Sequence, residues 1–264
     1  MKQCTAEALA ETRVSGEGAL VAGLLTVVLA SIGCHEPRSP EAAAPVRPPA
    51  QAPARSSTDT TKQVFTGIYD NATWGTNAEG KGNSGTGSTM DSTVVYTTYL
   101  QKFMENRGIK SVVDAGCGDW EFSSAINWTG VEYKGYDIVA SVIADNTKKY
   151  SKPNIQFFVG NILDPELPPA DLLVSKDVLQ HLPNADVKVF LEQLPKYKHV
   201  LLTNGTHWTT LSAENTDIAL GEYRELDLTR PPFNVPGKKV LTYDDGIHMH
   251  QVLHIARPDP APAR

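Results

Sequence analysis

Residues 111–120 read SVVDAGCGDW, and this stretch decides the architecture of the chain. Its first half, Ser111 to Ala115, is a short, mostly apolar run of the kind that forms a buried strand. The run stops in a turn that carries two glycines, Gly116 and Gly118, with the acidic residue Asp114 just before it. Because glycine has no side chain, a bound molecule can approach the backbone of such a turn closely. We therefore expect a buried strand that ends in a binding turn.

Strand-like segments alternate with helix-compatible segments after this turn. The predicted strands are 111–115, 133–138, 155–159, 172–175 and 199–203, and helix-compatible stretches between them include 139–150 and 185–194. This alternation predicts an α/β fold with a doubly wound, mostly parallel sheet. Residues 238–243 and 248–255 flank an Asp-Asp-Gly turn and predict an antiparallel C-terminal hairpin. In such sheets, ligands bind at the carboxyl ends of the strands, where the glycine turn lies.

Two further polar side chains follow the next two strands. Asp137 ends the second strand, 19 residues after Gly118, and Asn161 follows the third. A carboxylate at the position of Asp137 can accept both hydroxyls of an adenosine ribose, a contact worth about 1.5–3 kcal/mol. The amide of Asn161 can bind an adenine edge. Together with the glycine turn, these residues predict an adenosine-shaped site.

Four motifs resemble those of class I S-adenosylmethionine (SAM)-dependent methyltransferases. They are VVDAGCGDW at 112–120, YKGYDIV at 133–139, FFVGNIL at 157–163 and ADLLVSKDVLQHL at 170–182. The resemblance implies a Rossmann-like methyltransferase fold in which the turn holds the methionine moiety of SAM. The cofactor-binding residues that it implies are Asp114, Gly116, Gly118, Asp137, Ile138, Asn161, Ile162 and Lys176. At the position of Asn161 the family usually has aspartate.

Other partners of this fold fit the sequence less well. A nicotinamide dehydrogenase needs a third glycine where this chain has Glu121, whose charge would oppose a pyrophosphate. The net charge of -6 gives no basic surface, and no Asp/Asn-Pro-Pro-Tyr motif follows the fourth strand. We therefore expect no nucleic-acid partner.

Candidate residues for the methyl acceptor lie outside the cofactor motifs. His181 is the best candidate general base, because an imidazole titrates near neutral pH, although it can equally be a packing residue of its loop. Trp74, Trp120 and Arg224 are the candidate acceptor contacts. We expect the acceptor to be a small molecule, a sugar or a protein.

Two histidines near the C-terminus are candidate metal ligands. His248 and His250 alternate on a predicted strand and share one face. Without a third convergent ligand, two histidines favour a strand surface over a metal site. The sequence therefore predicts no metal.

A run of small polar residues, 84–89, follows the aromatic pair Tyr69 and Trp74. Such a run is costly to order, so it is either a floppy surface loop or a lid over a ligand. The sequence leaves both interpretations open.

The N-terminal part predicts export and anchoring. Residues 1–34 contain an apolar run, 19–33, that ends at Cys34, which resembles a lipoprotein signal with Cys34 as the lipid attachment site. Residues 35–62 are rich in Pro, Ala and Ser and predict a disordered linker, so that the folded domain is expected at 63–264. The expected protein is a membrane-anchored lipoprotein whose only membrane contact is this anchor. The alternatives are an uncleaved anchor, or a cytoplasmic protein whose start codon was assigned too early.

Two functions follow from these predictions. The first is SAM-dependent methyl transfer, and the second is a non-catalytic, membrane-tethered binding domain that keeps the methyltransferase fold. The two functions are distinguished by location, because SAM is made in the cytoplasm and an exported lipoprotein works outside it. The intact cofactor motifs favour SAM binding, whereas an exported location argues against turnover unless SAM is also present there.

Overall fold

A computed structural model of the protein describes residues 55–164 and 167–257. The expected leader, Cys34 and most of the expected linker lie outside the described residues. No helix in the described ranges combines the length and apolar character needed to cross a bilayer.

Seven strands form one sheet in the order β3-β2-β1-β4-β5-β7-β6. They are β1 Ser111–Ala115, β2 Glu132–Asp137, β3 Ile155–Val159, β4 Leu172–Lys176, β5 His199–Thr206, β6 Lys238–Asp244 and β7 Met249–Ala256. The first five pair in parallel, and β7 pairs antiparallel with both β5 and β6. This confirms the predicted α/β class, with its mostly parallel sheet and its antiparallel hairpin.

Four α-helices accompany the sheet in the described part of the chain: α1 Thr58–Asp70, α2 Val94–Arg107, α3 Ala140–Tyr150 and α4 Asn184–Leu191. Helix α2 ends at Gly108, which adopts the left-handed conformation with φ +61°.

The folded domain begins earlier than the expected boundary at residue 63. Helix α1 starts at Thr58, inside the segment that we expected to be linker. The Ser57 hydroxyl accepts a hydrogen bond from the backbone N–H of Thr60 at 3.1 Å, which caps the helix. Thr61 is buried. Polar residues thus serve as a helix start here, which an argument from low hydrophobicity alone does not detect.

The alternation of side chains along the strands builds a core on each face of the sheet. Val112 and Leu172 pack on one face with residues of α2 and α3. Their neighbours Val113 and Leu173 pack on the other face with residues of α4. All four are essentially inaccessible to water, as expected for parallel strands covered on both sides.

Strand β1 lies at the point where the order of the strands reverses. The next strand in the chain, β2, pairs on one side of β1, and β4 pairs on the other. The chain therefore leaves the carboxyl ends of β1 and β4 in opposite directions, which opens a crevice between the loops. The glycine turn lies at this crevice.

Candidate functional site

The carboxyl ends of β1 to β4 border one cavity. All eight residues that the sequence assigned to the cofactor line it: Asp114, Gly116, Gly118, Asp137, Ile138, Asn161, Ile162 and Lys176. They come from four different strand ends and their loops, so only the parallel sheet brings them together. Below, "the pocket" means this cavity.

The two glycines of the turn are required by the turn itself. Gly116 has φ +84°, and a Cβ there would lie 2.4 Å from a methyl group of Val178. Gly118 has φ +54°, and a Cβ there would lie 2.3 Å from Ser84 Oγ. We expected these positions to be kept clear for a ligand. The structure instead shows protein neighbours at both, so glycine permits the close packing of the turn against two other loops.

Asp137 is half-buried and fixes the glycine turn from the next strand. Its Oδ2 accepts from the backbone N–H of Gly118 at 3.1 Å, and its Oδ1 accepts from that of Val139 at 3.0 Å. Burial raises the pKa of Asp137, although these backbone hydrogen bonds act in the opposite direction. Each carboxylate oxygen retains a lone pair for a further donor.

Asp114, near the end of β1, is a second carboxyl group on the pocket, and it is buried. Burial raises its pKa to about 7, while a hydrogen bond from the Tyr133 hydroxyl, 2.7 Å long, acts to lower it. The nearby charge of Asp137 raises the pKa further. The effect of desolvation on the pKa of Asp114 therefore exceeds that of the hydrogen bond. A cation that enters the pocket would meet a carboxylate whose negative charge is not fully compensated.

Asn161 lines the pocket, but much of its amide serves the protein. Its Nδ2 donates to Thr58 Oγ1 at 3.1 Å, which connects the loop after β3 to the start of α1. Its Oδ1 accepts from the backbone N–H of Leu163 at 3.0 Å. One amide hydrogen and one oxygen lone pair remain for a ligand. No local sequence pattern indicates the link to α1, because 103 residues separate the partners.

The small polar run 84–89 is packed over the glycine turn. Ser84 and Asp119 bond reciprocally: Ser84 N–H donates to the carboxylate at 3.0 Å, and Asp119 N–H donates to Ser84 Oγ at 2.8 Å. The Tyr69 hydroxyl lies 2.7 Å from the same Oγ. Farther along, Lys176 Nζ donates to the carbonyl of Gly87 at 2.8 Å. Of the two interpretations of this run, the structure favours a lid, and we call residues 84–89 the lid segment.

A row of rings borders the mouth of the pocket. The rings of Trp74 and Tyr69 are 5.9 Å apart, those of Trp74 and His181 are 4.9 Å apart, and those of His181 and Tyr223 are 5.9 Å apart. Trp74 and His181 both line the pocket.

His181 is held as a neutral imidazole. Burial lowers its pKa, and its Nδ1 lies 3.0 Å from the carbonyl oxygen of Glu222, which can only accept. Nδ1 therefore carries the proton, and the unprotonated Nε2 is the nitrogen able to accept one.

Two predicted acceptor contacts do not lie on the pocket. Trp120 is buried in the core, with ring centroids 5.4 Å from Tyr133 and 5.2 Å from Phe157. Arg224 is buried too, and its guanidinium donates to the carbonyl oxygens of Leu182 and Thr216. A guanidinium that donates to these two backbone carbonyls holds two loops together. The expectation that Trp120 and Arg224 contact an acceptor is therefore wrong in this structure.

A chain of charged side chains that the sequence did not predict borders the pocket. Lys176 pairs with Asp177, whose Oδ1 lies 3.1 Å from His250 Nδ1, and His250 Nε2 lies 2.7 Å from Asp245 Oδ2. Asp177 lines the pocket and has φ +57°, an uncommon conformation for aspartate. Burial acts to raise the pKa of Asp177, but Lys176 and His250 hold it well below its usual range. Burial acts to lower the pKa of His250, but the carboxylates, Asp177 first, raise it above its usual value.

The expectation of a strand surface at His248 and His250 needs correction. His250 is buried, His248 is half-buried, and Asp245 converges on both as a third group with ligand atoms. The signal was present in the Asp-Asp-Gly turn. A turn carboxylate beside the strand that carries both histidines can reach them, which the alternation of the strand alone does not reveal.

Comparisons with known proteins agree with this architecture. The model of a family described as a methyltransferase domain matches residues 113–206. None of the curated proteins matches the chain.

Solved structures share the fold at low sequence identity. Magnesium protoporphyrin IX methyltransferase from Synechocystis PCC 6803, with bound SAH, is 12% identical over 75% of this chain and 100% of its own, with a TM-score of 0.54. A structure from work on the conversion of a disulfide bond into a thioacetal group during echinomycin biosynthesis is 14% identical over 74% of this chain and 92% of its own, with a TM-score of 0.51. The fold is the Rossmann-like fold of class I methyltransferases.

Proposed function

We propose that the protein is a SAM-dependent methyltransferase whose acceptor is a small molecule, a sugar or a protein side chain. The observation that carries the proposal is the convergence of the glycine turn, Asp137 and Asn161 on one pocket. This convergence falls inside the segment that matches the methyltransferase-domain model. The same match supports SAM as the cofactor, and the Synechocystis enzyme that shares the fold was solved with SAM as well as with SAH.

In this proposal, residues at different strand ends bind different parts of the cofactor. Asp137 accepts the ribose hydroxyls with the lone pairs that its backbone donors leave free. Ile138 and Ile162 flank the adenine, and the free amide hydrogen of Asn161 reaches an adenine edge. The turn holds the methionine part, with the buried carboxylate of Asp114 facing its ammonium group.

The acceptor enters beside Trp74 and His181. When bound, SAM would supply an electrophilic methyl group to the nucleophilic atom of the acceptor, with SAH as the second product. His181 Nε2 is placed to take the proton of the nucleophile where the acceptor needs a base. Alignment of the nucleophile with the methyl group lowers the barrier to transfer whether or not a base is used.

Isothermal titration of the full-length protein with SAM and with SAH tests the proposal. We expect both to bind, and we expect Asp137→Ala to weaken SAM binding at least tenfold, because it removes charge-assisted contacts worth about 1.5–3 kcal/mol. Asp145→Ala is the matched control. Asp145 lies on α3, only eight residues farther along the chain, and pairs with Lys81 at the surface.

The control variant should keep the affinity of the wild type, since surface ion pairs contribute little. Absence of binding by both ligands would overturn the proposal. Equal affinities in Asp137→Ala and the wild type would overturn the ribose assignment alone.

A further inference from the structure

Three side chains with metal-binding atoms converge at the turn between β6 and β7. They are Asp245, His248 and His250, and one ligand atom from each lies within 4.8 Å of the others. The side chains of His250 and Asp245 are only 2% and 1% exposed. A buried carboxylate beside two imidazoles is not an ordinary solvated surface cluster.

The turn itself aims the carboxylate. Asp245 Oδ1 accepts from the backbone N–H groups of Ile247 and His248, at 2.8 and 2.6 Å. These bonds fix the carboxylate and leave Oδ2 pointing at His250 Nε2, 2.7 Å away. Two atoms bound to one tetrahedral metal at about 2.0–2.2 Å lie about 3.4 Å apart. The contact between Asp245 and His250 is a hydrogen bond, and the two side chains would move slightly apart to share an ion.

Asp177 supplies the outer support that metal-binding histidines usually have. Its Oδ1 lies 3.1 Å from His250 Nδ1, so it sets the orientation of the ring and presents Nε2 to the cluster. The left-handed backbone of Asp177 and its pairing with Lys176 hold this carboxylate in place. A carboxylate, then a histidine, then a metal is a recurrent arrangement at zinc sites.

We propose that Asp245, His248 and His250 bind one divalent transition-metal ion, with Asp177 as the residue that orients His250. Two imidazole nitrogens and one carboxylate oxygen form a ligand set that suits Zn²⁺ and Fe²⁺ and leaves coordination positions open. Magnesium and calcium prefer sites made of oxygen atoms alone.

The proposed site borders the pocket on the acceptor side. Asp177 lines the pocket, and a Cβ added to Gly87 of the lid segment would lie 3.4 Å from Asp245 Oδ2 and 3.6 Å from Asp177 Oδ2. The lid segment thus covers the cluster. If the proposed methyl transfer is correct, on which this consequence rests, an ion here would hold an acceptor that carries an oxygen ligand and lower the pKa of its hydroxyl group.

The test is titration of the metal-stripped, full-length protein with Zn²⁺ by calorimetry and with Co²⁺ by visible absorption. The wild type should bind one equivalent, and both His248→Ala and Asp245→Asn should weaken binding at least tenfold. His248 is the most informative position. Its ring lies against Tyr223 and His250, whereas the hydrogen bonds that link Asp177, His250 and Asp245 do not involve it. Thermal unfolding checks that the variants fold, and Zn²⁺ should raise the Tm of the wild type but not of His248→Ala.

His207→Ala and Asp244→Asn are the matched controls, since both residues are exposed and Asp244 is the immediate neighbour of Asp245. They should keep the wild-type affinity. Absence of stoichiometric binding by the wild type would overturn the proposal. So would equal affinities in the wild type and His248→Ala, which would assign the ion to other groups such as Cys4, Cys34 and His35. No SAM is present in these titrations, so they can fail or succeed independently of the proposed methyl transfer.

Discussion

Burial raises the pKa of the Asp114 carboxyl group to about 7. The proposed ligand carries an ammonium group, which binds the ionised carboxylate and not the neutral acid. Affinity for SAM should therefore rise with pH as Asp114 ionises. If only the ionised form binds, the ionised fractions at pH 6 and 7.5 predict an increase of roughly fivefold or more.

The check is calorimetry with SAM between pH 6 and 7.5, on the wild type and on Asp114→Asn. The variant should bind more weakly and lose most of the pH dependence, because its amide does not titrate. An unchanged pH slope in Asp114→Asn would show that another group is responsible.

Cys117 lies between the two glycines of the turn and packs against the next strand. It is buried, and a Cβ added to Gly135 on β2 would lie 2.9 Å from its sulfur. Burial raises the pKa of the Cys117 thiol well above its usual value. The residue is a small packing group and not a nucleophile.

A few polar contacts hold the lid segment in place. Ser84 Oγ accepts from Asp119 N–H and bonds to the Tyr69 hydroxyl. Ser84→Ala removes both bonds and leaves buried groups without a partner, at about 1–3 kcal/mol. We expect backbone amides of residues 83–88 to exchange hydrogen at least about tenfold faster in the variant.

Hydrogen exchange followed by mass spectrometry on the ligand-free protein measures this effect. Ser151→Ala, at the exposed residue that ends α3, is the control and should leave exchange in the lid segment unchanged. Equal protection of residues 83–88 in Ser84→Ala and the wild type would show that other contacts hold the segment.

The contact between β5 and β7, where the parallel strands meet the hairpin, should make the stability of the whole molecule depend on pH. His254 on β7 is buried against the Phe103 ring, with its Nε2 3.2 Å from Nδ1 of His199 on β5. Burial, and then the neighbouring His199 and Arg107, lower the pKa of His254 to about 4. In the unfolded chain, its pKa is about 6.5.

The unfolded chain therefore binds more protons between pH 4 and 6.5, so the contribution of His254 to stability is complete above pH 6.5 and declines as the pH falls towards 4. The loss should be on the order of 3 kcal/mol. Urea unfolding at pH 7, 5.5 and 4.5 should show a smaller decline for His254→Gln than for the wild type. His207→Gln, at an exposed histidine, should follow the wild type, and identical curves for His254→Gln and the wild type would contradict the assignment.

The sheet and the edge that carries the cofactor residues follow from local sequence patterns. The bounds of β1 and β3 match the prediction residue for residue, and all eight cofactor positions line the pocket. These features are local, because a strand is specified by its own apolar run and its end by the glycine or acid that follows it. The fold rule for parallel sheets then places those ends at one edge.

Only the tertiary structure decided which way the other polar and aromatic side chains face. Trp120 and Arg224 pack inward although each lies near residues of the site in sequence. His250 meets Asp177 across 73 residues of chain, and Asn161 meets Thr58 across 103. Such contacts depend on how separate elements pack against one another, and no local pattern of residues encodes that packing.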